Sequence, residues 1–512
     1  MKKFIGLLLI LLFTFTLSSC KGEELDLVDW TSLKYEQTIE VNESDLVTPG
    51  KLKVATSPDY APYAFLDIKQ KGQKRFQGGD IFLASFIAQK MGLELEIVEA
   101  AFENCPQQLD LKKADIVLSG ITFSTERDKN YDFTEIYFEE GDGGHVLVVK
   151  ADKFDAFNKT LEEIKAEKTM KIGAQDGSIQ QELVNLELEM ETEKFSKISD
   201  GLNLLNKGSL DAICLPRNSA DDVCAKDPSF VYLTKFSFNP DTVALYEGTR
   251  GLIKQGSPLV EEFNEAIAEA KALFPTWMEY ASEYSQSLAL EQEELNSNFF
   301  VRMYSIVKNY GLQFLEGTGI TLLLSLVTVL FGTIIALLLG FIRRSRFMGV
   351  RALGNAYVEF VRGIPLLLLL WLLYMISPAS WPAYISVSIA LFLNSGAYVA
   401  EIIRAGLEAV DKGQYEAART LGLSKYQTMK KIVLPQAIKK ILPALGNEFV
   451  TLIKETSLAS VFFIGDLMTI KNNITAITYL SIEPFIIVGV IYFTLTFGIS
   501  KLISFAEKKM EA

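Results

Sequence analysis

Residues 320–341 are 22 consecutive positions without a single charge, and Arg343-Arg344-Ser345-Arg346 follows one residue later. About 20 apolar residues are enough to cross the hydrocarbon core of a bilayer. This chain must therefore place a helix in a membrane, and everything else is arranged around that helix. Four further candidate spans follow at 357–376, 383–400, 442–464 and 484–505. The third and fourth contain Asn394, Asn447, Glu448, Lys454 and Glu455. Polar groups at that depth face protein or water, which suits a transport path; Lys454 and Glu455 fit equally well at a helix end near the membrane surface. Basic residues cluster after the first span (Arg343 to Arg362) and after the third (Arg404 to Lys440), whereas only Lys471 follows the second and fourth. The excess of positive charge marks the cytoplasmic side. Five spans then put the amino-terminal region outside and the tail at Lys508 and Lys509 inside.

Charge divides the 512 residues into unlike halves. Residues 300–512 hold 20 basic and 12 acidic residues, a net of +8, while residues 1–299 hold 30 and 51, a net of −21. At roughly 150 residues per domain the length allows about three units. A mean hydropathy of +0.21 argues against a wholly soluble chain. The acidic half argues against nucleic acid as a partner, because nothing there would neutralise phosphates. One His and four Cys argue against a zinc enzyme with conventional ligand spacing, and no metal or cofactor is expected.

Lys2 and Lys3 precede an apolar run at 4–16 and then Leu17-Ser18-Ser19-Cys20. A short basic region, a short apolar core and small residues before the cut describe a signal peptide, here 1–19. Leu-Ser-Ser-Cys also resembles the bacterial lipobox, which implies lipidation of Cys20. The acidic stretch 20–50 reads as an extended tether. The acidic half is then extracytoplasmic, and Cys105, Cys214 and Cys224 sit where disulfides are permitted. They are either free, buried thiols or include a Cys214–Cys224 pair.

The segment 51–285 alternates strand and helix patterns. Residues 51–56 alternate like a strand, 80–92 have helical apolar spacing, and 93–98 return to a strand. The alternation continues through 115–118, 145–149, 170–174, 180–188 and 210–215. Such a pattern implies parallel α/β sheets covered on both faces, and about 235 residues suit two lobes with a cleft between them. Ligands in sheets of this kind bind beyond the carboxyl ends of the strands.

Residues 51–284 resemble the periplasmic solute-binding proteins of the polar amino acid class, an α/β two-lobed periplasmic-binding-protein fold of type II. Ser57-Pro58-Asp59-Tyr60-Ala61-Pro62-Tyr63-Ala64-Phe65 is similar to that family's first ligand loop, and Gly79-Asp80-Ile81 to the start of its first long helix. The strongest local match is Ala114-Asp115-Ile116-Val117-Leu118-Ser119-Gly120-Ile121-Thr122 with Thr125-Glu126-Arg127. The resemblance implies that a backbone group of Gly120, the Thr122 hydroxyl and the Arg127 guanidinium hold a ligand carboxylate. The chemistry fits, since Arg offers a fixed fork of donors that meets a carboxylate bidentately. Ile172-Gly173-Ala174-Gln175-Asp176-Gly177-Ser178 resembles the second lobe's strand–loop–helix element. Gln175 and Ser178 would face the cleft there, at a helix amino terminus that favours an anion. Tyr60 and Phe102 match the aromatic positions that sandwich the ligand side chain, with core packing as the ordinary alternative.

Two positions depart from the family. Ser57 stands where the first loop usually has an Asp, and Pro216 stands where an Asp usually follows Asp211 by five residues. Both carboxylates neutralise an α-ammonium group, and a buried cation without a partner is costly. Asp59, Asp221 and Asp222 are the available substitutes; otherwise the solute is a small carboxylate or modified amino acid without a free α-amine.

The inner segment 411–436 contains Glu416-Ala417-Ala418, Gly422, Ile432 and Leu434-Pro435. That spacing resembles the EAA loop of permeases in ATP-binding-cassette importers. Ala397-Tyr398-Val399-Ala400-Glu401-Ile402-Ile403-Arg404 and Lys454-Glu455-Thr456-Ser457-Leu458 resemble the amino acid permease branch. The resemblance covers about 317–505. It implies that Glu416, Ala417, Ala418, Gly422, Leu434 and Pro435 couple the permease to an ATPase. Locally, 415–421 is expected to form a short helix that Gly422 ends, with Ser424 capping the next.

No Gly-x-x-x-x-Gly-Lys-Ser/Thr occurs, so the chain lacks that phosphate cradle. The expected organisation is a signal peptide (1–19), a tether (20–50), a solute-binding domain (51–285), a linker (286–310) and an all-α permease of five helices (311–512). The expected function is the binding and permease subunit of an importer for a polar amino acid or related small carboxylate. It is itself no enzyme, and it works in the cell membrane with a separate dimeric ATPase and a second permease copy. The linker would keep the receptor at roughly millimolar effective concentration. The rivals are a ligand-gated receptor or channel, and a dehydratase-like enzyme of the same fold.

Overall fold

The computed structural model describes residues 34–124, 127–139, 144–246, 248–288, 298–378 and 380–511. The signal segment and Cys20 lie outside them. Two five-stranded sheets form the two lobes. The strand Lys51–Thr56 is buried at every position but its first, because it runs inside the first sheet between parallel neighbours Glu94–Glu99 and Ile116–Val117. Inner parallel strands are covered on both faces and read as nearly continuous apolar runs. Thr249–Lys254 then joins antiparallel, between Ile116–Val117 and Tyr131–Phe138. The second sheet runs Phe230–Tyr232, His145–Lys150, Ala212–Pro216, Ile172–Gln175, Glu193–Phe195. Its last three strands are parallel, and His145–Lys150 is antiparallel to its neighbours. Neither sheet is therefore purely parallel. The chain leaves the first lobe after Phe138 and returns at Thr249, and each crossing lays a strand the opposite way.

The tether reading fails for residues 35–47. Tyr35 packs edge-on against Phe86 at 4.7 Å, the amides of Thr38 and Ile39 both donate to Lys90 O at 3.0 Å, and Val47 N donates to Asp115 Oδ1 at 2.7 Å. Ile39 and Leu46 are buried. This stretch belongs to the first lobe.

The carboxyl-terminal half is helical. Its first helix, Phe299–Arg343, is 45 residues long and already covers nearly half of the expected linker. Thr321, Ser325, Thr328, Gly332 and Ala336 form its buried face, while Leu323, Leu330 and Leu337 are exposed, as lipid contacts should be. Small residues let membrane helices approach closely. A Cβ on Gly332 would lie 2.6 Å from Ser395 Oγ, on the helix Ala383–Glu408.

The second expected span is not one helix. Met348–Gly363 and Leu366–Ile376 meet at 111°, broken at Ile364-Pro365, where a proline removes the helical donor and clashes with the preceding turn. The fourth is the helix Leu434–Glu455 continued by a 3-10 stretch, Thr456–Phe462. Among the described residues three helices are long and apolar enough to cross a membrane, or four counting the bent pair as one span. The more polar Leu434–Glu455 is not among them.

One end of the bundle meets the two-lobed half. Gln313 Nε2 donates to Ile68 O at 3.3 Å, Tyr374 Oη to Gln108 Oε1 at 2.8 Å, and Lys113 Nζ to Ser377 Oγ at 3.1 Å. The other end carries the short helix Lys412–Thr420. The helix Ala383–Glu408 joins the two ends, and its 26 residues span about 39 Å.

Candidate functional site

The first ligand loop leaves the strand Lys51–Thr56 with its polar groups already engaged. Ser57 N donates to Ser119 Oγ at 3.1 Å, and the Ser57 hydroxyl donates to Asp59 Oδ1 at 2.5 Å. Tyr60 is buried, stacked on Tyr63 at 5.3 Å and tilted against Phe102 at 6.0 Å. Gly120 sits at φ +59, where a Cβ would come within 2.6 Å of the Tyr60 ring. Glycine is needed there both for the left-handed backbone and for the close approach. Its N–H, one candidate for the carboxylate clamp, donates instead to Asp80 Oδ2 at 2.7 Å. Burial pushes the Asp80 carboxyl up to about 6, outweighing the hydrogen bonds from Tyr137 Oη and Gly120 N that hold it down.

Arg127 spans the cleft. Its Nη1 donates to Thr122 O at 3.2 Å, its Nη2 donates to Gly177 O of the second lobe at 2.6 Å, and its guanidinium lies 5.7 Å from the Phe102 centroid. Thr122 is buried and bridges Thr249. In the second lobe Gln175 and Ser178 are both buried. Gln175 Nε2 donates to Ser196 O at 2.8 Å, and Ser178 caps the helix Ile179–Glu187 by accepting from Gln181 N. The lobes also meet through Ser219 Oγ, which donates to Ala61 O at 2.9 Å. Contacts thus bring Tyr60, Phe102, Gly120, Thr122 and Arg127 together with the loop that carries Gln175 and Ser178.

The three candidate substitutes for the missing acids part company. Asp221 pairs with Arg217 at 3.3 Å on the surface, and Asp222 is fully buried against Lys226 at 2.9 Å. Asp59 shares the Tyr60 loop. Its Oδ2 is buried without a hydrogen-bond partner among the described residues. Burial raises the Asp59 carboxyl and nearby Lys197 opposes that rise. Glu99, beside it, is pushed up to about 7 by burial despite Arg75 at 2.7 Å. Cys105, Cys214 and Cys224 are free thiols.

At the far end of the bundle, Asp411 caps the helix Lys412–Thr420, which places Glu416 and Ala417 outward and buries Ala418. Gly422 follows at φ +76 with open space around it, so the backbone angle alone calls for glycine. Ser424 and Gln427 form a capping box on the next short helix, and a π turn, Met429–Val433, leads into Leu434. Leu421, Tyr426 and Leu434 are exposed apolar side chains on this segment, 77%, 71% and 41% accessible.

A two-lobed receptor seated on one end of a membrane helix bundle, with a small exposed helical module at the other, defines a binding-and-translocation chain. Residues 52–273 match the bacterial extracellular solute-binding proteins, family 3, and residues 329–511 match the binding-protein-dependent transport system inner membrane component. The putative glutamine transport system permease protein GlnP of Rickettsia bellii (strain RML369-C) is 41% identical over 199 residues, covering 38% of this chain and 91% of that one. The arginine transport system permease protein ArtQ of Bacillus subtilis (strain 168) is 39% identical over 206 residues, 39% of this chain and 92% of that one. A solved structure of the substrate-binding protein AbpA from Streptococcus pneumoniae, bound to L-arginine, is 26% identical, with a TM-score of 0.41, covering 46% of this chain and 95% of that one. The chain belongs to the binding-protein-dependent inner membrane transport family, and is the fused substrate-binding and permease chain of an amino acid ABC importer. As such it works in a membrane with an ATPase partner.

Sequence reasoning raised Asp59 only as one of three substitutes, and it passed over Tyr479, whose side chain reaches Asp222 from the permease. The Asp222–Lys226 pair was readable as an i,i+4 ion pair, but no local pattern announces a partner 257 residues away.

Proposed function

We propose that the receptor half faces the outside and captures a polar L-amino acid, with Arg127 on the α-carboxylate and Asp59 on the α-ammonium. The observation that carries this reading is the Arg127 fork. Two of its guanidinium nitrogens donate to carbonyl oxygens, Thr122 O and Gly177 O, one from each lobe. A carboxylate placed between them would exchange neutral acceptors for a charged, bidentate one, and such bonds are roughly twice as strong. Asp59 supplies a buried oxygen in need of a donor, in place of the acids replaced by Ser57 and Pro216. An ammonium beside it would hold the carboxylate in its charged form. Tyr60 and Phe102 cover the ligand side chain, and Gln175 and Ser178 close from the second lobe. The relatives named for glutamine and arginine transport support an amino acid as cargo.

ATP hydrolysis is assigned to a separate partner. It docks on the exposed module from Glu416 to Pro435, with Leu421 and Tyr426 supplying the apolar contact. Two copies of the chain form the pathway, and export with lipidation at Cys20 anchors the amino terminus outside. The permease match favours import over the ligand-gated reading.

The test is calorimetry on the purified full chain, with L-glutamine, L-arginine and their des-amino analogues as probes. Binding of an L-amino acid that is lost in Arg127→Ala supports the clamp. Asp59→Asn should weaken the amino acid while sparing its des-amino analogue. Equal losses for both compounds would remove the ammonium role from Asp59, and unchanged binding in Arg127→Ala would remove the clamp altogether.

A further inference from the structure

The connection between the helices Leu467–Thr478 and Ile482–Glu511 reaches from the bundle into the receptor. Ile477 and Tyr479 line a small crevice together with Asp59, Ala61 and Leu66 of the first lobe and Lys226 of the second. Tyr479 is held at φ +55, a left-handed conformation that an ordinary side chain keeps only when its surroundings impose it. Its side chain is buried, and its hydroxyl donates to Asp222 Oδ2 at 3.0 Å. Lys226 Nζ lies 2.9 Å from the same oxygen and 5.4 Å from the Tyr479 ring centroid, and it also donates to Ser285 Oγ at 2.7 Å. Asp222 is 0% and Lys226 5% accessible. An ion pair this deep depends on every hydrogen-bond partner within reach, and one of them comes from the permease.

The helix that carries this pair, Arg217–Lys226, also registers lobe closure. Ser219 on it donates across the cleft to Ala61 O, and Ser219, Asp222 and Lys226 share one helical face at spacings of three and four. The two lobes are held to the permease differently. Ile68, Gln108 and Lys113 fix the first lobe to Gln313, Tyr374 and Ser377 without touching this helix. The second lobe meets Tyr479, and Lys197 lies 5.4 Å over the Phe463 ring.

We propose that the first lobe is the fixed seat of the docked receptor, and that Tyr479 is the permease residue that reports closure of the second lobe through the Asp222–Lys226 pair. When the lobes part, Ser219 leaves Ala61 and the same helix draws Asp222 off the Tyr479 hydroxyl. The segment around Tyr479 is then released at the outer mouth of the permease, on the helix connection that leads into Ile482–Glu511. A closed receptor and an open one thus present the permease with different surfaces at one named contact. This builds on the importer reading only in taking the closed receptor as the loaded one.

The experiment uses the full chain in phospholipid nanodiscs, with its four native cysteines replaced and Ile477→Cys as a reporter. Ile477 is buried, so its maleimide labelling rate reads release of the segment. A wedge in the cleft, Ser219→Trp, should raise the rate about tenfold, the scale of losing one buried hydrogen bond to a charged group. Ser219→Ala, which removes the cross-cleft bond without adding bulk, must move the rate in the same direction and keeps the test open should the tryptophan variant misfold. Tyr479→Phe and Asp222→Asn should each raise it about tenfold, and the double variant no further. Labelling that ignores both Ser219 variants, or single effects that multiply in the double variant, would overturn the proposal. Failure of every amino acid probe to bind would overturn the ligand assignment above and leave this labelling pattern as it stands.

Discussion

The two halves of the chain differ in how much of their buried polarity is charged. In the receptor several buried charges are paired, Lys53 with Glu96 at 3.1 Å, Arg75 with Glu99 at 2.7 Å, Lys90 with Glu269 at 2.6 Å and Asp222 with Lys226 at 2.9 Å, while Asp80 and Asp115 accept hydrogen bonds from neutral donors. In the helical half one such pair, Arg302 with Glu483 at 2.7 Å, stands beside a mostly uncharged interior: the long first helix and the helix Ala383–Glu408 meet through Gly332, Ser395 and Gly396, Thr321 Oγ1 accepts from Leu467 N at 3.0 Å, and Ser325 Oγ turns back to its own helix at Thr321 O, 2.7 Å away. The difference follows from the solvent. Water rewards the receptor for burying large apolar side chains, so an occasional ion pair can be carried inside. Lipid gives no such reward for bringing helices together, and close approach of small residues takes its place.

The largest effect should come from orphaning a receptor charge. Lys226→Ala leaves Asp222 buried without its ammonium, and breaking a buried pair in this way typically costs about 3–5 kcal/mol. Thermal unfolding of the receptor half, followed in the full chain, should show the loss while the helical half keeps its own transition. A neutral result would mean that Asp222 is not held as a buried charge, and the contrast between the halves would weaken.

The next effect depends on pH and belongs to the receptor alone, because His145 is the only histidine in the chain. Its Nδ1 lies 3.1 Å from Gln180 Nε2, and burial lowers its pKa to about 4. The unfolded chain takes up the proton near pH 6.5 and the folded chain only near 4, so this contribution is intact above about 6.5 and is lost as pH falls through that window. The full swing is about 3 kcal/mol. Asp80 and Glu99, both raised, act in the opposite direction. The quantity to measure is therefore the stability difference between the native chain and His145→Asn at pH 7 and at pH 4.5. That difference should move against the native chain at the lower pH, and a constant difference would mean the ring is not buried neutral.

How much of this was legible depended on whether the governing contact was local. The strand at 51–56, the string from Ala114 to Thr122 and the break at Gly422 are short-range patterns, and the fold places them where such patterns put them. Residues 35–47 read as a tether because Tyr35, Ile39 and Leu46 are too sparse to form a period, yet each finds a place on the first lobe. The break at Pro365 was hidden by apolar residues on both sides, which a hydropathy sum counts without regard to direction. Gly120 was readable as a special position, but the capture of its N–H by Asp80 rests on a contact 40 residues away.

A smaller effect should follow from crowding the helical half. At Gly332 a side chain would meet Ser395 Oγ at 2.6 Å and Gly396 N at 3.1 Å. Gly332→Val should destabilise that half by about 1–3 kcal/mol, the usual scale of overpacking, and lower its melting transition in detergent without changing that of the receptor. Gly340, where a Cβ meets nothing within 4 Å, is the control: Gly340→Ala should be neutral or slightly favourable. If the two variants behaved alike, close approach would not be what holds these helices together.

The smallest change in stability should accompany the largest separation of functions. Gly422 is exposed, and an added Cβ meets nothing, so Gly422→Asp costs only the left-handed backbone, about 1 kcal/mol. Asp also tolerates that conformation better than most residues. Amino acid binding by the full chain should be unchanged, since the residue lies at the far end of the bundle from Arg127. Stimulation of the partner ATPase by the loaded receptor should fall to the unstimulated level, because the substitution puts a negative charge between the exposed Leu421 and Tyr426 side chains and apolar docking surfaces exclude charge. Binding is read by calorimetry and coupling by phosphate release in the same proteoliposomes. Full stimulation in Gly422→Asp would show that the motor does not engage this module, and that the two ends of the helix Ala383–Glu408 are not joined in one cycle.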